Sequence, residues 1–329
     1  MHIRTNQDMN HAILYGMRYV PEDVDLIVGI PRSGLLAAML FSLSLNRPVT
    51  DLQGLLEGRV LSTGKRPVHR AGTDPVADAR RILVVDDCIS QGTEMDRARA
   101  LLQEAGLSDK ATFLAVYSFP QNPHKADIVL EVVPRPMVFQ WSCMHSPNLA
   151  EFCVDIDGIL CADPTKTEDD DGPGYRRFLR EAKPLFTPAV EIGWLVTCRL
   201  EKYRPETEEW LARHGVRYRH LEMMDHASRI ERETAGRHAE YKAEVYRRSG
   251  AKLFIESSEG LAKKIADLTD KPVLCFTTDA LHYKRPASQR IDVLEQKLRY
   301  HFRRLRRAPE RLRRMAQQVR PGGQTSLKP

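Results

Sequence analysis

Hydrophobic residues in the first half of the chain occur mainly in short continuous runs, separated by amphipathic stretches. Continuous runs, as opposed to alternating ones, are typical of strands that are covered on both faces of a parallel sheet. With helical segments between them, they predict an α/β fold up to about residue 149. The runs are Asp25–Ile30, Arg81–Val85, Ala111–Tyr117 and Ile128–Val133.

A second series of apolar runs predicts a second α/β domain. These runs are Phe152–Asp155, Ile192–Val196, Lys252–Ile255 and Pro272–Phe276. We expect the domain boundary in the proline-bearing segment 135–150, so that the domains comprise residues 1–149 and 150–283. At roughly 100–200 residues per domain, a chain of 329 residues is long enough for two separate cores.

Residues 284–329 form a basic tail in which apolar residues recur at near-helical spacing. The tail holds 14 of the Lys and Arg residues and 3 of the Asp and Glu residues. Because the formal net charge of the whole chain is only +6, the rest of the chain is net negative. An amphipathic basic helix of this kind binds an anionic membrane surface or docks on the protein, and nucleic acid is the least favoured partner.

Other sequence features limit the class of protein. No run approaches the ~18–20 uninterrupted apolar residues of a membrane-spanning helix, and the first residues lack the order of a secretion signal. The six cysteines form no C-x-x-C pair, so we expect reduced thiols and no structural zinc site. These features predict a soluble cytoplasmic protein, with any membrane contact made peripherally by the tail.

The first chemical motif is a predicted strand that ends in Asp86 and Asp87 and leads into the loop Ser90–Thr93. A helical segment, Glu94–Ala105, follows. Ligands of open α/β sheets bind beyond the carboxyl ends of strands, and the start of a helix offers backbone N–H groups to a phosphate. Adjacent carboxylates accept hydrogen bonds from neighbouring hydroxyls. Ribose 5-phosphate carries both a pair of neighbouring hydroxyls and a phosphate.

This segment resembles the phosphoribosyl-pyrophosphate (PRPP) signature of type I phosphoribosyltransferases. The resemblance implies that Asp86 and Asp87 hold the ribose hydroxyls during transfer. It also implies that the 5-phosphate is cradled by Ser90, Gln91, Gly92 and Thr93. Glu94 stands where the family commonly has a second hydroxyl residue, which affects the expected details of phosphate binding.

The turn Pro31–Gly34 is the expected second half of such a site. It lies between a predicted strand and a predicted helix, and its glycine allows the backbone to approach a ligand. Arg32 offers bidentate hydrogen bonds to phosphate oxygens. By the resemblance, Arg32, Ser33 and Gly34 bind the pyrophosphate of PRPP, which carries Mg²⁺. Departure of pyrophosphate leaves an oxocarbenium-like ribose, so the site must stabilise the leaving group.

The second chemical motif is the D-x-D-G sequence at residues 155–158, which follows another apolar run. Asp155 is placed to attack phosphorus and Asp157 to protonate the leaving oxygen. A calcium-binding EF-hand, the main competitor, needs further acids at fixed spacing that are absent here. Further along, a predicted strand ends in Thr197, a predicted helix carries Lys242, and another strand ends in Glu256.

The order of these residues resembles the four motifs of haloacid-dehalogenase-like phosphatases, which have a Rossmann-like fold. The resemblance implies that Asp155 is the nucleophile and Asp157 the general acid/base. Thr197 and Lys242 then bind the transferring phosphoryl group. Asp155, Asp157 through its carbonyl, and Glu256 hold a protein-bound Mg²⁺, which offsets repulsion between carboxylate and phosphate.

Three further segments allow predictions about the surroundings of these motifs. Ser257 follows Glu256 where the phosphatase family often has an acid, so Glu259 is the candidate for the second acid. Residues 162–193 are expected to form a small cap, and its acidic run Glu168–Asp171 a solvated loop. Met137–Trp141 either shapes the acceptor pocket or packs at the domain boundary.

Together the two motifs predict installation of a phosphoribosyl group and removal of its 5-phosphate. The pair resembles the PRPP-dependent glycan phosphoribosyltransferase/phosphoribosyl phosphatase systems of bacterial polysaccharide synthesis. That resemblance implies ribofuranosyl transfer to a hydroxyl of a lipid-linked or oligosaccharide glycan.

Three alternatives stay open, as does the oligomeric state. One is a nucleobase phosphoribosyltransferase fused to a nucleotidase. Another is a PRPP-sensing protein with a nucleic-acid-binding tail. The third has an inactive phosphatase domain that only binds phosphoribosyl groups.

Overall fold

The computed structural model describes residues 1–61 and 74–283, which lie in one compact unit. The basic tail and its predicted helix, residues 284–329, lie outside the described residues. The described part is an α/β structure with two large, mainly parallel sheets and one small one, as the apolar runs predict. Among these residues, no helix has both the length and the apolar character needed to cross a bilayer.

The first large sheet is fully parallel, with the strand order β3-β2-β4-β5-β6. The elements of this part, in chain order, are β1 (His2–Arg4), α1 (Asn6–Gly16), β2 (Leu26–Gly29), α2 (Gly34–Leu45), β3 (Val49–Asp51), α3 (Leu52–Leu56), β4 (Ile82–Ile89), α4 (Thr93–Glu104), β5 (Ala111–Ser118), β6 (Ile128–Val132) and β7 (Met137–Phe139). Strand β2 is buried at every residue, because helices cover both faces of the sheet.

Strand β4 is longer than the sequence predicts. The apolar run suggests an end at Val85, but β4 continues through both aspartates to Ile89, which pairs with Ser118 of β5. On its other side β4 pairs with β2 only as far as Val85, opposite Gly29. The last residues of β4 therefore project past β2 with one edge open, and Asp86 and Asp87 lie on this projecting end.

The second large sheet has the order β10-β9-β8-β11-β12-β13, parallel except for the antiparallel edge strand β13. Its elements, in chain order, are β8 (Phe152–Val154), α5 (Pro173–Glu181), β9 (Ile192–Leu200), α6 (Arg204–Arg213), β10 (Tyr218–Met224), α7 (Arg229–Ala235), α8 (His238–Arg248), β11 (Leu253–Glu256), α9 (Glu259–Thr269), β12 (Val273–Cys275) and β13 (Ala280–His282). Short 3₁₀ turns, Gln140–His145 and Pro147–Glu151, connect β7 to β8.

Strands β1 and β7 form a separate two-stranded parallel sheet. Ile3 of β1 and Val138 of β7 belong to the same apolar cluster as Phe152 and Leu253 of the second large sheet. Chain segments on both sides of the expected boundary near Leu149 thus share a core. The division into domains at that residue stays a proposal.

Candidate functional site

The first candidate site lies at the projecting end of β4. The turn Pro31–Gly34 runs beside it, and the Ser33 hydroxyl donates a hydrogen bond of 2.8 Å to Asp87 Oδ1. The two motifs also touch at Gly34, where an added Cβ would lie 2.9 Å from the carbonyl oxygen of Val85. Any larger residue would separate the turn from the strand, so the close approach depends on glycine.

The two neighbouring carboxylates share a poorly solvated environment. Asp86 Oδ1 accepts a hydrogen bond of 2.9 Å from the Asp87 backbone N–H. Burial raises the pKa of Asp86 to about 8, and the negative charge of Asp87 adds to this effect. Burial also raises the pKa of Asp87, although hydrogen bonds from Ser33 and Trp141 oppose the change. A ligand that donates hydrogen bonds to this pair would favour its ionised form.

The loop Ser90–Thr93 joins β4 to α4. Gly92 has φ +87°, a left-handed conformation that favours glycine, and it caps α4. The backbone N–H groups of the first helical turn therefore lie next to the loop, together with the positive end of the helix dipole. Ser90 is fixed through its carbonyl, which accepts a hydrogen bond of 2.5 Å from Asn122. Glu94, the residue that departs from the family pattern, is exposed and pairs with Arg97 at 3.9 Å.

Two cations approach this loop that the sequence motifs do not identify. The guanidinium of Arg135 lies over the Phe119 ring at 4.3 Å, and its Nη2 is 3.5 Å from Ser90 Oγ. The Lys125 side chain packs against Gly92, with its Cγ 3.0 Å from the position of an added Cβ. Lys125 follows β5 and Arg135 follows β6, and these two strands are neighbours in the sheet. The proximity of both residues to the loop is therefore apparent only once the strand order is known.

Trp141 lies at the first site. Its indole N–H is 3.3 Å from Asp87 Oδ2, and its ring stacks on Phe139 with centroids 4.5 Å apart. Arg32, in the turn Pro31–Gly34, is exposed. The segment Met137–Trp141 therefore borders the Asp87 carboxylate, and its part in an acceptor pocket stays a prediction.

The second candidate site lies at the carboxyl edge of the second large sheet. Asp155 follows β8 and Glu256 ends β11, and the pairing of Val154 with Ile255 brings the two acids to the same level. Lys242 of α8 lies between them, with Nζ 2.7 Å from Asp155 Oδ2 and 2.7 Å from Glu256 Oε2. All three side chains are at least nine-tenths buried, so each charge depends on its partners.

The electrostatic balance of this triad favours an additional cation. Burial raises the pKa of Asp155 well above its usual value; the charges of Glu256 and Asp157 raise it further, and Lys242 opposes them. Burial disfavours the charged form of Lys242, but the two carboxylates hold its pKa above the ordinary value. Two carboxylates thus share one ammonium group in a region of low dielectric constant.

The protein oxygens at this site can bind Mg²⁺ only if water or substrate phosphate completes the coordination shell. In the described ranges, no three His, Cys, Asp or Glu residues are grouped as a metal site. Asp155 and Glu256 supply two carboxylates, and the backbone carbonyl of Asp157 is the third expected ligand. Mg²⁺ commonly binds one or two carboxylates and completes its shell with water and substrate phosphate, so these residues fit the ion.

Asp157 is held by a residue outside the sequence motifs. Arg199 donates two hydrogen bonds to its carboxylate, from Nε at 3.0 Å and from Nη2 at 2.6 Å. The Arg199 side chain is only 1% exposed and also contacts the Cys161 sulfur at 3.2 Å. In this conformation both oxygens of Asp157 are engaged, so proton transfer by Asp157 requires the ion pair to open.

Thr197 lies in the interior of β9, which continues to Leu200, and so does not end a strand as predicted. It is buried, and its hydroxyl accepts a hydrogen bond of 3.2 Å from the Arg199 backbone N–H. The pairing of Leu195 with Val154 places Thr197 near the level of Asp155. Cys198, the next residue, is half-buried, and burial raises the pKa of its thiol to about 12.

Glu259, the candidate for the second acid, begins α9 and pairs with Lys263 at 2.8 Å. The additional acid near the site is Asp163, whose Oδ2 is 3.1 Å from a Cβ added at Gly158. Burial raises the pKa of Asp163, and the charges of Asp157 and Glu256 contribute.

The acidic run Glu168–Asp171 lies in a loop before α5, where hydrogen bonds fix two of its acids. Asp171 accepts hydrogen bonds from the Tyr203 hydroxyl at 2.7 Å and from the Arg229 backbone N–H at 3.0 Å. Asp170 accepts one of 2.8 Å from the Tyr175 backbone N–H at the start of α5. The run ties the α5 segment to α7, because acids at a helix start satisfy free N–H groups.

Comparison with known proteins bears mainly on phosphoribosyl transfer. No family model matches the chain. An amidophosphoribosyltransferase of Synechococcus elongatus is 33% identical over 100 residues, which are 27% of this chain and 20% of that protein. The chain thus aligns with about a fifth of this curated relative.

Two of the similar solved structures are also phosphoribosyltransferases. A purine phosphoribosyltransferase of Pyrococcus horikoshii is 20% identical, covers 42% of this chain and 92% of its own, and has a TM-score of 0.31. A xanthine-guanine-hypoxanthine phosphoribosyltransferase of Helicobacter pylori is 17% identical, covers 43% and 92%, and has a TM-score of 0.33.

Substitution of Asp86 by Asn should stabilise the free protein at high pH. The folded state holds the Asp86 proton up to about pH 8, whereas the unfolded state loses it near pH 3.8, so stability falls as pH rises between these values. We expect the variant to gain more than about 1 kcal/mol at pH 8 and little near pH 4, since one pKa unit corresponds to about 1.4 kcal/mol. Urea unfolding at both pH values measures this. An equal gain from substituting the exposed Asp109 by Asn would contradict it.

PRPP, the ligand that the sequence predicts for the first site, provides a test of Arg135, whose substitution by Gln should weaken its binding. The variant removes a cation next to Ser90, and loss of one charge-assisted contact corresponds to roughly a tenfold higher Kd. Calorimetric titration with PRPP and Mg²⁺ measures the change. Arg97→Gln, on the exposed side of α4, is the matched control and should bind normally. Equal affinities of wild type and Arg135→Gln for PRPP would show that Arg135 does not contribute to binding.

Proposed function

We propose that this chain transfers a phosphoribosyl group from PRPP to an acceptor at the first site and removes its 5-phosphate at the second. The observation that carries the proposal is the contact between Ser33 and Asp87, 54 residues apart, which joins the pyrophosphate turn to the ribose-binding pair. The sequence match to an amidophosphoribosyltransferase supports the same type of donor. The buried Asp155–Lys242–Glu256 triad supports the hydrolytic step.

The first step depends on charge placed around a departing pyrophosphate. Asp86 and Asp87 accept hydrogen bonds from the ribose diol, which fixes the sugar ring. The loop Ser90–Thr93, with Arg135, holds the 5-phosphate. Arg32 binds the pyrophosphate as the bond from C1 to its oxygen breaks, while the acceptor oxygen bonds to C1 and releases its proton to solvent. Mg²⁺ carried by PRPP would offset the charge of the leaving group.

The second step uses the carboxylate of Asp155 as the nucleophile. Its oxygen forms a bond to phosphorus while the ester P–O bond breaks, and Lys242 and Thr197 stabilise the charge on the transferring group. Asp157, once released from Arg199 and protonated from solvent, donates this proton to the leaving oxygen. Water then hydrolyses the acyl phosphate and releases inorganic phosphate. A bound Mg²⁺ would reduce repulsion between Asp155 and the phosphate.

A sugar hydroxyl is the acceptor that makes use of both steps. If the acceptor were a nucleobase, the second step would convert a newly made nucleotide to a nucleoside and waste the donor. A glycan, either lipid-linked or free, would instead retain a stable ribofuranosyl unit. The stacked surface of Trp141 beside Asp87 keeps a nucleobase as the second candidate, since a planar base packs on it as well as a sugar does.

An assay with separated readouts tests the function. Full-length protein, Mg²⁺ and PRPP are incubated with a panel of glycans and bases, and pyrophosphate, phosphate and product masses are followed. Asp87→Asn should reduce pyrophosphate release more than about 100-fold, because it removes a contact to the reacting sugar. Asp155→Asn should abolish phosphate release and accumulate a phosphoribosylated acceptor.

Two exposed aspartates provide matched controls for these variants. Asp109→Asn and Asp267→Asn make the same change in charge far from both sites and should leave both products unchanged. Phosphate release that persists in Asp155→Asn would contradict the assigned nucleophile. Pyrophosphate release that is insensitive to Asp87→Asn would contradict the first site.

A further inference from the structure

An exposed aromatic residue borders the second site and has no role in the steps above. Phe186 is 47% exposed and its neighbour Leu185 is 44% exposed. In the described ranges, Phe186 is the one phenylalanine among the exposed large apolar residues. Adjacent exposed apolar residues are informative because folding normally buries such side chains, and apolar patches on a surface mark places where another molecule binds.

Backbone hydrogen bonds fix Phe186 beside the turn that follows Asp157. Its N–H donates to the carbonyl of Ile159 at 3.2 Å, and the Leu185 N–H donates to the carbonyl of Leu160 at 2.8 Å. Phe186 is therefore carried by a segment that pairs with the chain directly after the two aspartates of the D-x-D-G motif. Its exposure is a property of an ordered, hydrogen-bonded segment.

A second ring, that of Phe276, packs against Phe186. The ring centroids are 4.8 Å apart and the planes meet at 74°, an edge-on arrangement that is favourable for aromatic pairs. Phe276 directly follows β12, and its N–H donates a hydrogen bond of 2.8 Å to the carbonyl of Glu256. Since β12 runs parallel to β11, Phe276 lies at the same carboxyl edge of the sheet as Asp155 and Glu256.

The burial of the reactive groups determines which part of a substrate can reach this edge. The side chains of Asp155, Lys242 and Glu256 are nine-tenths or more buried, so an ester phosphate must enter toward them while the rest of the molecule stays outside. In the phosphoribosylated product of the first step, the outermost part is the acceptor attached to C1 of the ribose. The C–H face of a sugar ring is apolar and packs well on an aromatic ring.

PRPP carries a charged pyrophosphate at the same carbon. Burial of a charged group against an apolar ring is unfavourable, because the ring offers it no hydrogen bonds. An aromatic surface at this position therefore distinguishes the product of the first step from its donor, although both carry a 5-phosphate.

We propose that Phe186, supported by Phe276, binds the sugar attached to C1 of the ribose 5-phosphate ester, so that the Asp155 site selects the phosphoribosylated glycan over PRPP. This preference rests on the function proposed above and names the part of the substrate that the second site recognises.

Steady-state hydrolysis of three 5-phosphate esters tests the preference, with products identified by mass. The esters are a ribofuranosyl hexoside 5-phosphate, methyl ribofuranoside 5-phosphate and PRPP. For the wild type we expect kcat/KM of the hexoside ester to exceed that of the methyl ester at least about tenfold, mainly through KM, as one additional apolar contact provides. PRPP should lose its 5-phosphate no faster than the methyl ester does.

Substitutions of Phe186 assign this ratio to the ring. Phe186→Ala should bring the ratio of kcat/KM between the hexoside and methyl esters close to one, whereas Phe186→Tyr keeps the ring and should retain the ratio. Leu268→Ala is the matched control, because Leu268 is 41% exposed near the end of α9 that leads to the opposite edge of the sheet. A ratio that Phe186→Ala leaves unchanged would overturn the proposal, as would dissociation of an oligomer in this variant with the ratio preserved.

A binding measurement separates this proposal from the hydrolytic function. Protein carrying Asp155→Asn and Asp87→Asn neither forms the acyl phosphate nor retains the intact ribose-binding pair of the first site. Calorimetry with the hexoside ester should show a Kd about tenfold weaker when Phe186→Ala is added, and a smaller change with the methyl ester. If the wild type hydrolyses none of the esters, the phosphatase function fails, yet this comparison still decides the role of Phe186. An unchanged Kd, or an equal change for both esters, would reject it.

Discussion

Strand register at the carboxyl edges of two parallel sheets determines where the acids of this protein lie. In the first sheet, β4 pairs with β2 only to Val85 but with β5 as far as Ile89, so Asp86 and Asp87 project beyond one neighbour. In the second, the pairing of Val154 with Ile255 aligns Asp155 with Glu256. A change of register by one residue would reverse the direction of every side chain on the strand. The chemistry of both sites therefore depends on backbone pairing.

Each site also concentrates like charges where water is largely excluded. Asp86 and Asp87 are neighbours in sequence, and Asp155 and Glu256 share Lys242, so in both places carboxylates outnumber the cations that they contact directly. Burial of such groups is unfavourable without a partner, and raised pKa values follow from it. The sites are thereby suited to ligands that donate hydrogen bonds or carry a divalent cation. The Arg199–Asp157 pair is different, because its charges balance locally.

Patterns in the sequence predict the α/β class and most central strands, since continuous apolar runs report burial on both faces. They miss the length of β4, because polar residues end an apolar run while the hydrogen-bonded ladder continues. They also miss β10, whose residues Tyr218–Met224 are partly exposed at a sheet edge. Short motifs identify carboxylates, but not the cations that approach from distant loops. Arg135 gains significance only when the fold brings it to Ser90, and Phe186 only when its segment pairs beside Ile159.

The central claim is that both sites act in succession on one pentose. The most direct measurement is a time course with the wild-type protein, Mg²⁺, an acceptor and PRPP labelled in its 5-phosphate. We expect labelled inorganic phosphate to appear after a lag, behind pyrophosphate, and only when the acceptor is present. Label that is released at the same rate without acceptor, or that stays permanently on the product, would contradict it.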